Sequence, residues 1–181
     1  MIGRGRLRAL LLILMAGGVA VRADATAASP GPPGAILHAA ATWAGVAPEL
    51  LAAVVWVESR GHPWAVGIRG QARFPRSHTD AVILVRDARG DADIGLAQIH
   101  YPIWGPVFGL RPEELLDPWI NLHAAAAILR LAMAREPQSW GGVGRYHSGT
   151  PWRKWAYASR VAATVRALRL PIPPRTRDSA P

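Results

Sequence analysis

The chain has 181 residues, half of them apolar, which suffices for one domain with a hydrophobic core and argues against a disordered chain. The net charge of +9 comes from scattered arginines. It is consistent with binding to an anionic polymer or an anionic membrane, or with simple solubility, and it gives little support to nucleic-acid binding. Because there is no Cys and the six His lack metal-ligand spacing, a disulfide and a thiol nucleophile are excluded, and no metal or other cofactor is expected.

The N-terminus has the pattern of a secretory signal peptide. Three arginines lie among the first eight residues, an apolar stretch covers residues 10–21, and alanines recur up to Ala27. A membrane-spanning helix needs about 20 apolar residues, so this stretch is short for one. We predict a signal peptide at residues 1–27, a periplasmic or cell-envelope location, and no stable membrane insertion after cleavage. An uncleaved anchor is the alternative.

The remaining chain divides into three parts. Residues 28–34 are rich in Pro and Gly and are predicted to be a linker. Residues 171–181 contain four prolines and little that could pack, so they are predicted to be a disordered tail. Residues 35–170 between them form one predicted domain.

Two predicted helices open this domain. The first covers Ala35–Ala44 and ends at Gly45. The second begins at Pro48, where a missing N–H costs nothing, and stops at Gly61. On the second helix three apolar residues and one carboxylate share a stripe by the i, i+3, i+4, i+7 rule: Leu51, Val54, Val55 and Glu58.

A small β-hairpin is predicted next. Two extended segments, Trp64–Arg69 and Ala72–Arg76, flank a turn at Gly70-Gln71. A capping-box pattern at Ser77 then starts a helix that ends near Gly90.

Three further helices complete the domain. Asp117 is a strong N-cap and Pro118 suits the first helical position, so they begin an Ala-rich helix that runs to Arg135. The last two helices are predicted over Trp140–Tyr146 and Trp152–Leu170. The predicted fold class is therefore mainly α with a small β-hairpin.

Glu58 is the candidate catalytic residue. A carboxylate on an apolar helix face is rare unless it is paired or functional. Apolar neighbours and the negative end of the helix dipole both disfavour the ionised form, so the pKa of Glu58 should rise. A carboxyl protonated near neutral pH is the general acid that glycosidic bond cleavage needs. A solvated Glu paired with Arg60 is the alternative.

Four sequence blocks occur in order along the domain. They are V-E-S-R at 57–60, D-I-G-L-A-Q-I at 93–99, D-P-W-I-N-L at 117–122 and R-Y-H-S-G-T-P at 145–151. In this order they resemble the soluble lytic transglycosylase family, lysozyme-like enzymes of the bacterial cell wall. The resemblance implies a lysozyme-like α+β helical domain that acts on peptidoglycan glycan strands.

The resemblance also implies roles for particular residues. The Glu of the family's E-S pair is the catalytic acid and base, and it corresponds to Glu58. Substrate-binding or orienting roles are implied for Ser59, Gly95, Gln98, Tyr146, His147 and Tyr157. The chain departs from the family's usual pattern at Ala97, where Met is common, and at His147, where Asn is common.

The segment between Glu58 and Gly95 is some two dozen residues longer than in the shortest family members. Together with Y-H-S-G-T-P at 146–151, it resembles the subgroup associated with conjugation and type IV secretion. The resemblance therefore implies components of such an apparatus as partners, besides the glycan strands.

The implied reaction needs one protein carboxyl. Glu58 protonates the glycosidic oxygen and then deprotonates the C6 hydroxyl of N-acetylmuramic acid, which closes a 1,6-anhydro ring. A hydrolytic muramidase is the alternative enzyme, and its second carboxylate would come from Asp80, Asp87, Asp91 or Asp93. Asp93 is predicted to be a turn or cap residue instead. A non-catalytic wall-binding subunit of a secretion apparatus is the alternative from another class.

Overall fold

A computed structural model describes residues 33–137 and 139–169, which form seven α-helices around a small antiparallel sheet. The predicted signal peptide, most of the predicted linker and the predicted tail lie outside these residues. The helices are α1 Pro33–Ala44, α2 Pro48–Ser59, α3 His78–Asp87, α4 Tyr101–Phe108, α5 Pro118–Arg135, α6 Trp140–Gly144 and α7 Pro151–Arg169. A short 3-10 helix covers Pro112–Leu116.

The mainly α, lysozyme-like fold class is confirmed, and two predicted caps explain where its helices begin. A carboxylate oxygen of Asp117 accepts hydrogen bonds from the N–H groups of Trp119 and Ile120, at 2.8 and 3.1 Å. The Ser77 hydroxyl accepts from the N–H of Asp80 at 3.1 Å. Each cap satisfies N–H groups that have no partner inside the helix.

The sheet is larger than the predicted hairpin. Its strands are β1 Val66–Ile68, β2 Gln71–Arg73, β3 Asp93–Ile94 and β4 Ile99–His100, in the order β2-β1-β3-β4. The hairpin turn lies at Arg69 and Gly70, one residue earlier than predicted. These two residues have left-handed φ values of 51° and 75°. A two-residue turn with two positive φ angles matches the twist of the paired strands.

Helix α5 lies in the centre of the fold and packs against α1 and α6, while α2 packs against α7. Four consecutive alanines on α5, 124–127, are buried, and their small side chains allow neighbouring backbones to approach closely. The contact between α2 and α7 brings the end of α2 beside Tyr157. Within the described residues, no helix combines the length and apolarity needed to cross a membrane.

Candidate active site

A cleft of about 380 Å³ lies between the sheet and the helices. Its walls come from the end of α2, strands β3 and β4, helices α4 and α5, and the segment after α6. Four of the predicted site residues line it: Glu58, Gln98, Tyr146 and His147. The other lining residues are Asp93, Ile99, His100, Ile103, Trp104 and Ile128.

The Glu58 carboxyl is partly buried at the C-terminal end of α2. Burial raises its pKa from 4.5 to about 7, and the nearby negative charge of Asp93 adds to the rise, while Tyr157 and Arg160 oppose it. Arg60 turns the chain out of the helix with a φ of 57° and lies over the Trp56 ring, 5.2 Å from its centroid. The structure therefore favours a perturbed acid over the alternative of a Glu58–Arg60 ion pair.

Tyr157 supports Glu58 from α7. Its side chain is 1% exposed, and its hydroxyl has no hydrogen-bond partner among the described residues. The Glu58 carboxyl lies close enough for this hydroxyl to lower the Glu58 pKa, although the two groups do not have the geometry of a well-formed hydrogen bond. Burial and the neighbouring carboxyl raise the pKa of Tyr157 well above 10, so it is a neutral donor directed at the acid.

The turn between β3 and β4 is held from three sides. Buried Asn121 donates to the carbonyls of Ile94 and Leu115, at 2.9 and 2.7 Å, and accepts from the Ala97 N–H at 2.9 Å. The Ser59 hydroxyl donates to the Leu96 carbonyl at 2.6 Å. The Tyr146 hydroxyl donates to the Ala97 carbonyl at 2.9 Å. The turn thus has a fixed backbone.

Three of the predicted site residues lie behind the cleft wall. Ser59 is 1% exposed, Gly95 is buried with a φ of 78°, and Tyr157 is buried beneath His147. These residues form the framework behind the cleft wall and do not line it, and their substrate-binding or orienting roles stay predictions. Ala97, where the resemblance leads one to expect Met, is also fully buried and does not line the cleft.

Gln98 lies on the inner edge of the turn with a left-handed φ of 47°. Its amide nitrogen donates to the carbonyls of Ala65 and Gly95, both at 3.0 Å. These bonds tie the turn to the segment before β1 and fix the orientation of a polar side chain in the cleft. A ligand would therefore meet an amide held in place before binding.

Asp93 and His100 form a pair on the wall formed by the sheet. The Nδ1 of His100 lies 2.9 Å from a carboxylate oxygen of Asp93, and both residues line the cleft with Glu58. Asp93 belongs to β3 and pairs with Gly67 and His100 in the sheet, so its interpretation as a turn or cap residue is wrong. The other candidate second carboxylates, Asp80, Asp87 and Asp91, are exposed and do not line the cleft.

Sequence reasoning missed three residues of this site, His100, Trp104 and Asn121, and it named Asp93 only as a candidate second carboxylate of the alternative enzyme. Trp104 stacks on Phe108, with ring centroids 5.8 Å apart, and supplies a flat apolar wall. Trp104 and Asn121 had a signal in the sequence, since an aromatic-rich segment follows Gln98 and Asn121 belongs to the D-P-W-I-N-L block.

No cluster of three or more His, Asp or Glu side chains suited to a metal occurs among the described residues.

Relatives with known names share most of the domain. The protein virB1 of Agrobacterium fabrum is 38% identical over 147 residues, which cover 74% of this chain and 60% of the relative. The type IV secretion system protein virB1 of Brucella suis is 30% identical over 149 residues, which cover 70% of this chain and 62% of the relative. The X polypeptide of Escherichia coli K12 is 27% identical over 146 residues, which cover 74% and 76%.

The match to the virB1 proteins thus spans about three fifths of their length. No solved structure matches the chain. The sequence model of the transglycosylase SLT domain matches residues 36–164, which include every residue that lines the cleft. With this match over most of its length, the chain belongs to the transglycosylase SLT domain family.

Proposed function

We propose that the protein is a lytic transglycosylase that cleaves the β-1,4 bond between N-acetylmuramic acid and N-acetylglucosamine in peptidoglycan. The observation that carries the proposal is the Glu58 carboxyl in the cleft, with its pKa raised to about 7. A carboxyl with this pKa is largely protonated just below neutral pH and still able to release its proton. One residue can then act as acid and as base in the same turnover.

In the proposed reaction, Glu58 first donates its proton to the glycosidic oxygen, which leaves with the N-acetylglucosamine side of the strand. The Glu58 carboxylate then takes the proton of the muramic acid C6 hydroxyl, whose oxygen attacks C1 and closes the 1,6-anhydro ring. The nucleophile is part of the substrate and already lies near the reacting carbon, which favours it over free water. Glu58 ends the cycle protonated, as it began.

Four cleft residues are proposed to contact and orient the sugar. Gln98 presents an amide fixed by two backbone carbonyls, and Tyr146 presents a hydroxyl fixed on the Ala97 carbonyl. Burial and the positive charges of Arg160 and Arg153 lower the pKa of His147, so its imidazole is neutral at pH 7 and can donate and accept hydrogen bonds. Trp104 offers a flat apolar face against which a sugar ring can pack.

The names of the relatives are the basis for the proposed cellular setting. Two of them are virB1 proteins, one named as a type IV secretion system protein. We therefore place this protein in the periplasm or elsewhere in the cell envelope, with a type IV secretion or conjugation apparatus as its partner. Local opening of the wall for such an apparatus is the role that fits the proposed activity.

The products of digestion test the proposed chemistry. Purified peptidoglycan treated with the protein should release muropeptides that end in 1,6-anhydro-N-acetylmuramic acid. Each should be one water lighter than its hydrolytic counterpart and resistant to borohydride, because ring closure adds no water across the bond. Mass spectrometry before and after reduction measures both properties. Reducible, water-added products would contradict the transglycosylase assignment.

A hydrolytic muramidase is the second candidate, and the position of Asp93 favours keeping it. Asp93 is a second carboxylate that lines the same cleft as Glu58 and raises the Glu58 pKa through its charge, and a retaining or inverting glycosidase needs such a second carboxylate. The variant Asp93→Asn separates the two candidates. A muramidase would lose nearly all activity with this change, whereas a transglycosylase would retain anhydro product formation.

The activity should decline as pH rises above 7. The first step needs protonated Glu58, and its pKa is about 7, so kcat/KM should fall about tenfold for each pH unit above that value. Initial rates of turbidity loss at constant ionic strength measure the profile. In Asp93→Asn the decline should begin at lower pH, since the charge of Asp93 raises the pKa of Glu58. A rate that stays constant to pH 9 would show that Glu58 is not the acid.

A further inference from the structure

Two arginines flank Tyr157 on one face of α7. Arg153 precedes Tyr157 by four residues and Arg160 follows it by three, and these spacings place side chains on the same side of a helix. The Arg160 guanidinium lies 5.5 Å from the centroid of the Tyr157 ring, and that of Arg153 lies 5.1 Å from the centroid of Trp152. Both arginines are exposed to solvent. The aromatic contacts limit the positions that the two cations occupy.

The pair lies at the rim of the cleft rather than elsewhere on the surface. The Tyr157 ring stacks on His147, with centroids 4.8 Å apart and planes 7° from parallel, and His147 lines the cleft. The charges of both arginines lower the pKa of His147, and that of Arg160 lowers the pKa of Glu58. Both cations are therefore within electrostatic reach of a ligand that passes His147.

Neither arginine has a carboxylate partner within 4.0 Å in residues 33–137 and 139–169. Their neighbour on α7 differs, because Lys154 binds Glu136 at 2.9 Å, and Arg145 binds the same carboxylate. The positive charges of Arg153 and Arg160 are thus left available for a ligand. Seven residues along a helix separate them by about 10 Å, so they can meet two groups of one extended polymer.

We propose that Arg153 and Arg160 form a binding site for carboxylates of the glycan strand at the His147 end of the cleft. This inference rests on the proposed function, which makes peptidoglycan the ligand. Strands with intact stem peptides carry peptide carboxylates, and strands stripped of them carry the free lactyl carboxylate of muramic acid. The guanidinium group suits either source, because its paired N–H groups match a carboxylate geometrically.

Binding without cleavage tests the site. In a Glu58→Gln background the strands stay intact, so co-sedimentation with insoluble peptidoglycan at low salt gives an affinity. Adding Arg153→Gln and Arg160→Gln together should weaken binding about tenfold or more, since each removes a charge-assisted contact. Arg166→Gln is the matched control, because Arg166 is an exposed arginine farther along the same helix. It should change the affinity less than twofold.

Three substrates identify the carboxylate. Loss of affinity on untreated strands alone would assign the site to stem peptides, and loss on amidase-stripped strands alone would assign it to the lactyl group. Loss on both would extend the site to either source. On strands whose carboxylates have been amidated with carbodiimide and ammonia, the variants and their parent should bind equally. A persistent difference there, or an effect no larger than that of Arg166→Gln, would overturn the proposal.

The test keeps this inference separate from the proposed function. Activity of the otherwise unchanged protein on peptidoglycan reports the proposed function by itself. If that protein cleaves strands but the arginine variants bind as their parent does, only the carboxylate site fails. If the Glu58→Gln parent binds none of the three substrates and the unchanged protein cleaves none, the proposed function fails and the inference with it.

Discussion

Glu58→Gln is expected to abolish strand cleavage while the fold survives. Gln keeps the size and polarity of the side chain but cannot donate a proton to the glycosidic oxygen or recover one from the C6 hydroxyl. General acid–base catalysis is typically worth about 10²–10⁴-fold, and here a single residue performs both transfers. We therefore expect at least the upper part of this range as the loss in kcat, measured by muropeptide release.

The same substitution should stabilise the folded state at neutral pH. Burial raises the pKa of Glu58 from 4.5 to about 7, so folding favours the protonated form. The penalty for the ionised carboxyl is absent below pH 4.5, grows between pH 4.5 and 7, and stays constant above pH 7. Glu58→Gln removes it, so the free energy of unfolding should rise by about 1–3 kcal/mol at pH 7 and hardly change at pH 4.

Glu49→Gln is the matched control for both measurements. Glu49 is an exposed acid in the first turn of the same helix, far along α2 from the cleft. Its substitution should leave cleavage unchanged and should not produce a stability gain that grows between pH 4.5 and 7. Near-normal lysis by folded Glu58→Gln protein would remove Glu58 from the mechanism. Strand binding without any lysis by the unchanged protein would instead favour a non-catalytic assembly subunit.

The parts of the fold that could be predicted from the sequence depend on local signals. The cap at Asp117, the proline at position 118 and the pattern around Ser77 act within one helical turn, so they fix where helices begin whatever the rest of the chain does. The apolar stripe that carries Glu58 is also local, and it placed this carboxyl on the correct face of α2.

The elements that were missed depend on contacts between distant segments. Helix α4 contains Pro102, Gly105 and Pro106, a composition that argues against a helix. Its aromatic side chains, Tyr101, Trp104 and Phe108, pack against the hydrophobic core, and the Tyr101 ring lies over Gly105, where a Cβ atom would collide with it. Strands β3 and β4 are two residues each, and they exist because β3 pairs with β1 and β4 pairs with β3, so no periodicity could predict them.

The candidate site divides in the same way. Glu58 is identified by its own helix, but the pair formed by Asp93 and His100 appears only when the sheet brings both residues to one wall of the cleft. In the sequence, Asn121 is part of a helix start. In the structure its side chain, which is 1% exposed, binds the turn between β3 and β4. These roles arise from tertiary contacts that single-sequence patterns do not encode.

Gly95 lies where this turn is most crowded. A Cβ atom at this position would overlap the Asn121 amide and lie 2.6 Å from the Leu115 carbonyl oxygen. The φ of Gly95 is 78°, which side-chain-bearing residues rarely adopt. Gly109 provides a matched comparison, because its φ is 68° but a Cβ atom there would meet nothing within 4 Å.

Gly95→Ala is therefore expected to destabilise the fold by about 3 kcal/mol or more. Backbone strain costs about 1–3 kcal/mol, and displacing Asn121 leaves buried carbonyls unpaired at a further cost of about 1–3 kcal/mol. Gly109→Ala carries only the strain, so it should cost about 1 kcal/mol. Chemical denaturation of both variants measures the difference. Equal losses would show that the Asn121 contacts contribute little, and the turn would then be held by the hydrogen bonds of Ser59, Tyr146 and Gln98.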